Sequence, residues 1–398
     1  MNAKTTGAAT LGAPSTHPSA HLSTHPGAGS PAASAARAPL RVRGVTLTPL
    51  EVPLKLALGT SADTVRVAPL LLIDLHTEEG ITGNAYLFCV RRSGMKAIAA
   101  LLQDAADLLH GRAAEPLTIA ATLGRRMALI GNVGAVRMAL SGLDTAVWDA
   151  QAKAAGLPLA SLLGAGPGRM RAYNSSGLGL LGVRGTATQV MPLLERGFGA
   201  LKLRLGYPGM KEELDVLHAV RALLPTQAHL MVDYNQALTL QDALARGRQL
   251  QGQGVYWLEE PIRHDDWDGY ATLARELDLP IQLGENLDGP KDVLRVIQHR
   301  ACDFVMPDLA RIGGVTGWMQ AAAIAAAAGV ELSSHLYPEV SAHLLLASET
   351  RHWLEYVDWA DPILETPLAI EDGHAVVPNT PGVGLRWNMD AVARYAVA

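Results

Sequence analysis

Cysteine is scarce. Only Cys89 and Cys302 occur in 398 residues, too few for a disulfide framework and typical of a chain kept in a reducing cytoplasm. A basic excess is missing as well: 33 lysines and arginines face 38 acidic residues, for a net charge of −5. Nothing here neutralises a phosphate backbone, so nucleic acid is excluded as a partner. No long apolar run exists. The most apolar stretch, residues 321–330, falls far short of the roughly 18 residues of a membrane span. Three chemical signatures are also absent. No Ser or Cys sits in a nucleophile elbow, which removes the usual acyl-transfer chemistry. No G-x-G-x-x-G follows a strand pattern and no Walker A occurs, which disfavours dinucleotide and ATP sites.

What is present is a large apolar fraction, 49%, enough to build a sizeable core, and a length that suggests two or three domains. Residues 1–39 stand apart. They hold eleven Ala, with Lys4 and Arg37 as the charges and Leu11 and Leu22 as the large aliphatics. Such a composition cannot offset chain entropy and is expected to be a disordered tail. His17, His21 and His25 recur every four residues, but Pro18 and Pro26 oppose the helix that would align them as metal ligands.

From Leu40 onward the pattern becomes regular. Strands are expected over 41–52, 67–76 and 81–88, the last two joined by a Glu78-Glu79-Gly80 turn, and helices over 95–109, 116–130 and 135–155. This is a small α+β domain, placed at 40–168. Strands and helices then alternate, with strands expected at 171–174, 200–205, 229–233, 255–259, 281–285, 303–307, 331–335 and 352–356. Eight such units point to an α/β fold, a (β/α) TIM-type barrel over 169–356. Residues 357–398 carry no further unit and are expected to run back over the first domain.

Chemistry sits at the strand ends. Asp233, Glu259, Glu285, Asp308, His335 and Glu355 follow at intervals of 26, 26, 23, 27 and 20 residues, each about one βα unit. All therefore arrive at one end of the barrel, the end that carries active sites in this fold. One polar strand end is explained by helix capping; six in succession are not. Asp233, Glu259 and Glu285 converge as three carboxylates, which cannot all stay ionised without a cation between them. Oxygen donors favour a hard ion, Mg²⁺ above Mn²⁺ or Ca²⁺. Glu260 either points away from Glu259 or turns inward, and the strand period leaves both open. Lys202 and Arg204, at i and i+2 on the second strand, face the same way, over the site. Asp308 accepting from the His335 imidazole would leave Nε2 as a base. A metal, a cation pair and a His–Asp base suit proton abstraction next to a carboxylate.

Together with these residues, several segments carry a resemblance: Ala68–Leu75, Tyr86-Leu-Phe88, Leu201-Lys-Leu-Arg-Leu-Gly-Tyr-Pro208, Met231-Val-Asp-Tyr-Asn-Gln236, Trp257-Leu-Glu-Glu-Pro261, Gly284-Glu-Asn286, Met306-Pro-Asp308, Ile312–Trp318, Ser333-Ser-His-Leu336, Ser341–Leu345 and His352-Trp-Leu-Glu355. Over residues 40–390 the chain resembles the enolase superfamily and, within it, the mandelate racemase/muconate lactonizing enzyme family, whose Lys or His base with Mg²⁺ is a worked case of acid–base tuning. The resemblance implies a modified (β/α)7β barrel with an N-terminal capping domain. It implies Asp233, Glu259 and Glu285 as Mg²⁺ ligands and His335, held by Asp308, as the base for one substrate face. Lys202 would touch the substrate carboxylate and depress the pKa of the neighbouring cation. Glu355, kept protonated, would donate to the enolate oxygen, and Asn235 would hold a substrate oxygen. Residues 54–60 would form a lid, with Leu54, Leu56 and Leu58 joining Tyr86 and Val357 in a partly apolar pocket. A homo-oligomer, dimer or octamer, is also implied. Two positions depart from the family. Its Lys-x-Lys, whose second lysine serves the opposite face, is Lys202-Leu-Arg204 here, and a pocket serine is Gly177, preceded by Ser175 and Ser176.

The activity expected first is racemisation or epimerisation of a 2-hydroxy acid, which needs Arg204 or another group as second base. The second is dehydration of an acid sugar, for which His335 suffices as acid and base. The third is a non-catalytic protein that keeps the metal site. A Schiff-base aldolase on Lys202 would leave three carboxylates without a purpose.

Overall fold

The computed structural model describes residues 39–61 and 63–397. The tail expected at 1–39, with its three histidines, lies outside the described residues apart from Pro39.

Alternating apolar residues build the first sheet. β1 (Val42–Gly59) pairs antiparallel with β2 (Thr64–Thr77), and β2 with β3 (Thr82–Phe88). Leu70, Leu71, Leu72 and Ile73 of β2 are buried on both faces. The helix Gly134–Ala155 covers the sheet. It comes so close at Gly83 that a Cβ there would lie 1.9 Å from the Ala146 carbonyl oxygen. The lid expected as a loop over 54–60 is mostly strand: the β1–β2 ladder resumes at Leu58↔Val65 after a register break that bulges residues 54–57. Leu54, Leu56 and Leu58 alternate as a strand would, so the hairpin extends through them.

Eight parallel strands follow: β4 (Arg169–Asn174), β5 (Ala200–Arg204), β6 (His229–Asp233), β7 (Val255–Glu259), β8 (Ile281–Leu283), β9 (Phe304–Val305), β10 (Glu331–Leu332) and β11 (Leu354–Tyr356). They pair in chain order from β4 to β10, and β11 pairs with β4. The ring closes through His352 N–H to the Leu332 carbonyl, 2.8 Å, and Ser334 N–H to the Trp353 carbonyl, 3.0 Å. A helix follows each of the first seven strands and none of that kind follows β11, which is the (β/α)7β pattern. Tyr173, Met231, Trp257 and Trp353 fill a cluster of their own among these strands. The later strands are shorter than the sequence suggests because their last residues leave the ladder to turn toward the site.

Residues 357–397 contact both parts. β12 (Ile370–Glu371) and β13 (His374–Val376) form a hairpin that pairs antiparallel with the start of β4. Beyond it the chain reaches the helix Gly134–Ala155, where Val383 N–H donates to Asp149 at 2.7 Å, and the first sheet, where Trp387 Nε1–H donates to Asp74 at 2.7 Å and Val397 N–H to the Pro49 carbonyl at 3.0 Å.

Candidate active site

Asp233 and Glu259 are the last residues of β6 and β7 and stand opposite each other in register. Glu285 follows the end of β8. The register brings one carboxylate oxygen from each within 4.8 Å of the others. The chain then turns abruptly. Asn235, Gln236 and Glu260 all have positive φ, a conformation that non-glycine residues adopt at a cost and that clusters at functional sites. Asn235 spends its amides on Asp233: its backbone N–H donates to Oδ1 at 2.7 Å and its Nδ2 to Oδ2 at 3.0 Å. Glu259 Oε2 accepts from Trp257 Nε1 at 3.0 Å and Gln282 Nε2 at 3.2 Å. Burial, reinforced by Asp233, Glu355 and Glu285, pushes Glu259 upward against the pull of Lys202. Three carboxylates this close, with oxygen donors alone, fit a hard divalent cation; Lys202 is one charge against a larger anionic set.

The His335 imidazole is held from one side. Its Nδ1 is 2.7 Å from Asp308 Oδ2. The other oxygen of Asp308 accepts the Ala310 and Arg311 N–H groups at 2.8 and 3.0 Å. One carboxylate thus caps the short helix Leu309–Ile312 and fixes the imidazole. Nε2 faces Glu285 Oε2 at 3.3 Å and Glu355 Oε2 at 3.9 Å. Burial opposes charge on His335, but Glu285 and Glu355, with the Asp308 hydrogen bond, outweigh it and push the imidazole up to about 10. A divalent cation among the carboxylates would offset the pull of Glu285 and so favour an unprotonated Nε2.

Lys202 is buried, with Nζ 2.5 Å from Glu259, 2.8 Å from Glu355 and 3.5 Å from Asp233. Burial works against its charge, yet Glu259 and Glu355 raise its pKa well above the ordinary value. Glu355 differs from the proton-bearing donor expected. Burial alone would raise it, but Lys202 and His335 prevail and hold it below the usual carboxylate range. It accepts from Lys202 and from the Leu336 N–H at 2.8 Å, so without a cation it is a carboxylate. Arg204 is committed to the β4 exit loop. Its Nη1 donates to the Ser175 and Gly177 carbonyls at 2.7 and 2.8 Å, and its Nη2 to Ser175 Oγ at 2.7 Å. Its Nε is buried without a partner, 4.0 Å from Asp233 Oδ2.

The residues expected to bind substrate separate. Asn235 stays with the carboxylates, and its Oδ1 is buried and unpaired. Leu58 and Val357 are buried in the main core. Leu56 packs over Gly177, where a Cβ would meet its Cδ1 at 2.8 Å, and lines a 240 Å³ cavity with Lys55, Ser176, Arg196 and Asp358. Tyr86 turns its hydroxyl onto Glu339, 2.7 Å away. Among the described residues, none of these four is hydrogen-bonded to the three carboxylates. The hairpin tip rests on the barrel rim: Leu180 N–H donates to the Gly59 carbonyl at 3.1 Å and Ser61 Oγ to the Tyr234 carbonyl at 3.2 Å. Glu260, left open by the strand period, turns inward. It accepts from Asn286 Nδ2 at 2.7 Å and the Gly284 N–H at 3.3 Å, and Asn286 also donates to Glu285 at 3.1 Å. The Glu-Glu-Pro and Glu-Asn pairs were the only signal for this support.

Comparison with known proteins matches two family models: the mandelate racemase/muconate lactonizing enzyme N-terminal domain over residues 42–164 and the enolase C-terminal domain-like family over 185–391. L-talarate/galactarate dehydratase of Salmonella typhimurium is 33% identical over 351 residues, covering 86% of this chain and 87% of that protein. The crystal structure of an enolase from alpha proteobacterium bal199 with bound Mg is 42% identical, with a TM-score of 0.88, over 90% of this chain and 100% of the other. An enolase from Bradyrhizobium, complexed with magnesium and mandelic acid, is 37% identical, with a TM-score of 0.87, over 91% and 100% of the two chains.

Proposed function

The chain belongs to the mandelate racemase/muconate lactonizing enzyme family of the enolase superfamily, and from that premise we propose that it is a Mg²⁺-dependent hydro-lyase of acid sugars. The observation that carries this reading is the fixed guanidinium of Arg204. Two-base racemisation needs a proton acceptor on the face opposite His335. Arg204 takes the position of the family's second lysine, and its guanidinium stays protonated and is tied to Ser175 and Gly177 by three hydrogen bonds. One base is enough for β-elimination.

Asp233, Glu259 and Glu285 would hold Mg²⁺, which would supply Lewis-acid stabilisation of negative charge at the substrate carboxylate. His335 Nε2 removes the α-proton, with Nδ1 fixed by Asp308. The C–H electron pair becomes the enolate, and Lys202 places its charge beside it. Collapse of the enolate expels the hydroxyl at the next carbon, which leaves as water with the proton that His335 returns. The resulting enol tautomerises to a 2-keto-3-deoxy acid. Arg204 Nε–H, unpaired beside Asp233, donates to a substrate oxygen. In this reading the partner is a small carboxylate, and the chain assembles as a homo-oligomer.

Racemisation of a 2-hydroxy acid is the second reading, favoured by Leu56 packed over Gly177 and by the mandelic acid in the Bradyrhizobium relative. Incubation with Mg²⁺ and L-talarate, galactarate, other aldonates and aldarates, and mandelate separates the two. A 2-keto-3-deoxy product supports dehydration. Inversion without such a product replaces it with racemisation.

A further inference from the structure

A second cavity, of about 380 Å³, lies away from the carboxylates, between the helix Pro338–Leu346 and the returning chain. Its walls are mainly apolar, with Leu364, Leu368, Val383 and Leu385 among them. That volume is within the range of small-molecule sites, which combine apolar walls with a few fixed polar groups. Of its polar side chains, Glu339 is the buried one, 4% exposed, while Glu365, Thr366, Thr380 and Arg386 are exposed. Its Oε2 accepts from Tyr86, and its Oε1 is buried with no partner. Buried polar atoms are almost always paired, so an orphaned carboxylate oxygen beside a cavity calls for a donor. Glu365 and Arg386, of opposite charge, are both exposed to water, which leaves Glu339 as the buried ionisable group of the wall.

We propose that this cavity is a second ligand site, built for a small primary ammonium with an apolar body, whose N–H groups meet Glu339. The site lies close to the catalytic residues in the chain. Glu339 is four residues beyond His335. The Tyr86 ring that it holds lies 5.3 Å from the ring of Tyr337. Leu336 and Tyr337 both have positive φ, and the Leu336 N–H is bonded to Glu355. An occupant that competes for Glu339 therefore bears on the segment that carries His335.

The test is titration calorimetry of the Mg²⁺-loaded protein with hexylammonium, and with hexanol and hexanoate for comparison. Hexylammonium is expected to bind one site per chain at least tenfold more tightly than either. Glu339→Gln is expected to weaken it about tenfold, the loss of one charge-assisted contact. Thr366→Trp, at the exposed rim, is expected to block binding and leave turnover unchanged. No binding by the native protein, equal affinity for the three probes, or unchanged binding in both variants overturns the proposal. None of these results depends on which acid the active site dehydrates.

Discussion

Asp308→Asn separates the two jobs of one carboxylate. Oδ1 caps the helix Leu309–Ile312 through two N–H groups, and Oδ2 accepts from His335 Nδ1. An asparagine keeps a carbonyl oxygen for the cap, and Asn and Asp are near-equal caps. Its NH₂ then faces the imidazole, so Nδ1 must accept and Nε2 must carry the proton. That tautomer cannot take an α-proton. The expected loss is the general-base contribution, about 10²–10⁴-fold in kcat, with Tm within about 2 °C of the parent protein when Mg²⁺ is bound. Asp308→Ala removes the cap as well and should cost about 1–2 kcal/mol of stability more. The assay is product formation together with α-proton exchange in D₂O, followed by thermal unfolding. Turnover within threefold of the parent protein in Asp308→Asn would refute the role given to this pair. A collapse in stability without the cap loss of the alanine variant would refute the separation.

Four further outcomes are expected. Lys202→Met leaves Glu259 and Glu355 buried without their cation, a loss of about 3–5 kcal/mol for a broken buried pair; urea unfolding in EDTA should show it, and Mg²⁺ should restore part of it. Mg²⁺ should stabilise the parent protein by about 2.7 kcal/mol at a hundred times Kd, read as a higher Tm, and Glu259→Gln should abolish the gain. In EDTA, His335 titrates at about 10 when folded against 6.5 unfolded, so the folded state binds its proton more tightly. That stabilisation is complete below pH 6.5 and fades as pH rises toward 10, and His335→Asn should flatten this part of an unfolding–pH profile. Arg204→Lys cannot reproduce the forked contacts to Ser175 and Gly177; a lower kcat is expected, and a gain in racemisation measured by polarimetry would restore the two-base reading.

The barrel and its chemistry were legible because both follow from spacing. A strand-end residue recurring every βα unit must reach one rim, so Asp233, Glu259 and Glu285 meet whatever the loops do. Asp308 and His335 were readable as neighbours for the same reason. Other features depend on what a side chain finds after folding. Arg204 faces the site, as strand period requires, but its fork is taken by the β4 exit loop, which spacing does not place. Tyr86 lies in a matching segment, yet its hydroxyl goes to Glu339, 253 residues away. The protonation of Glu355 is set by Lys202 and His335 jointly, an electrostatic balance that no motif encodes. Glu260 turns inward because the backbone leaves strand geometry at that residue, with a φ of 34°, a local strain that a period of two does not anticipate. The lid over 54–60 came from the family resemblance alone, which does not show that the β1–β2 ladder resumes at Leu58 after the bulge.

The central claim is that His335 takes an α-proton from a carboxylate substrate and that the three-carboxylate site is required. Proton NMR in D₂O with the acid-sugar panel measures it most directly. Mg²⁺ should bring loss of the α-proton signal with growth of 2-keto-3-deoxy resonances, and EDTA or His335→Asn should stop both. Exchange or elimination that persists without divalent cation, or in the asparagine variant, would contradict the account.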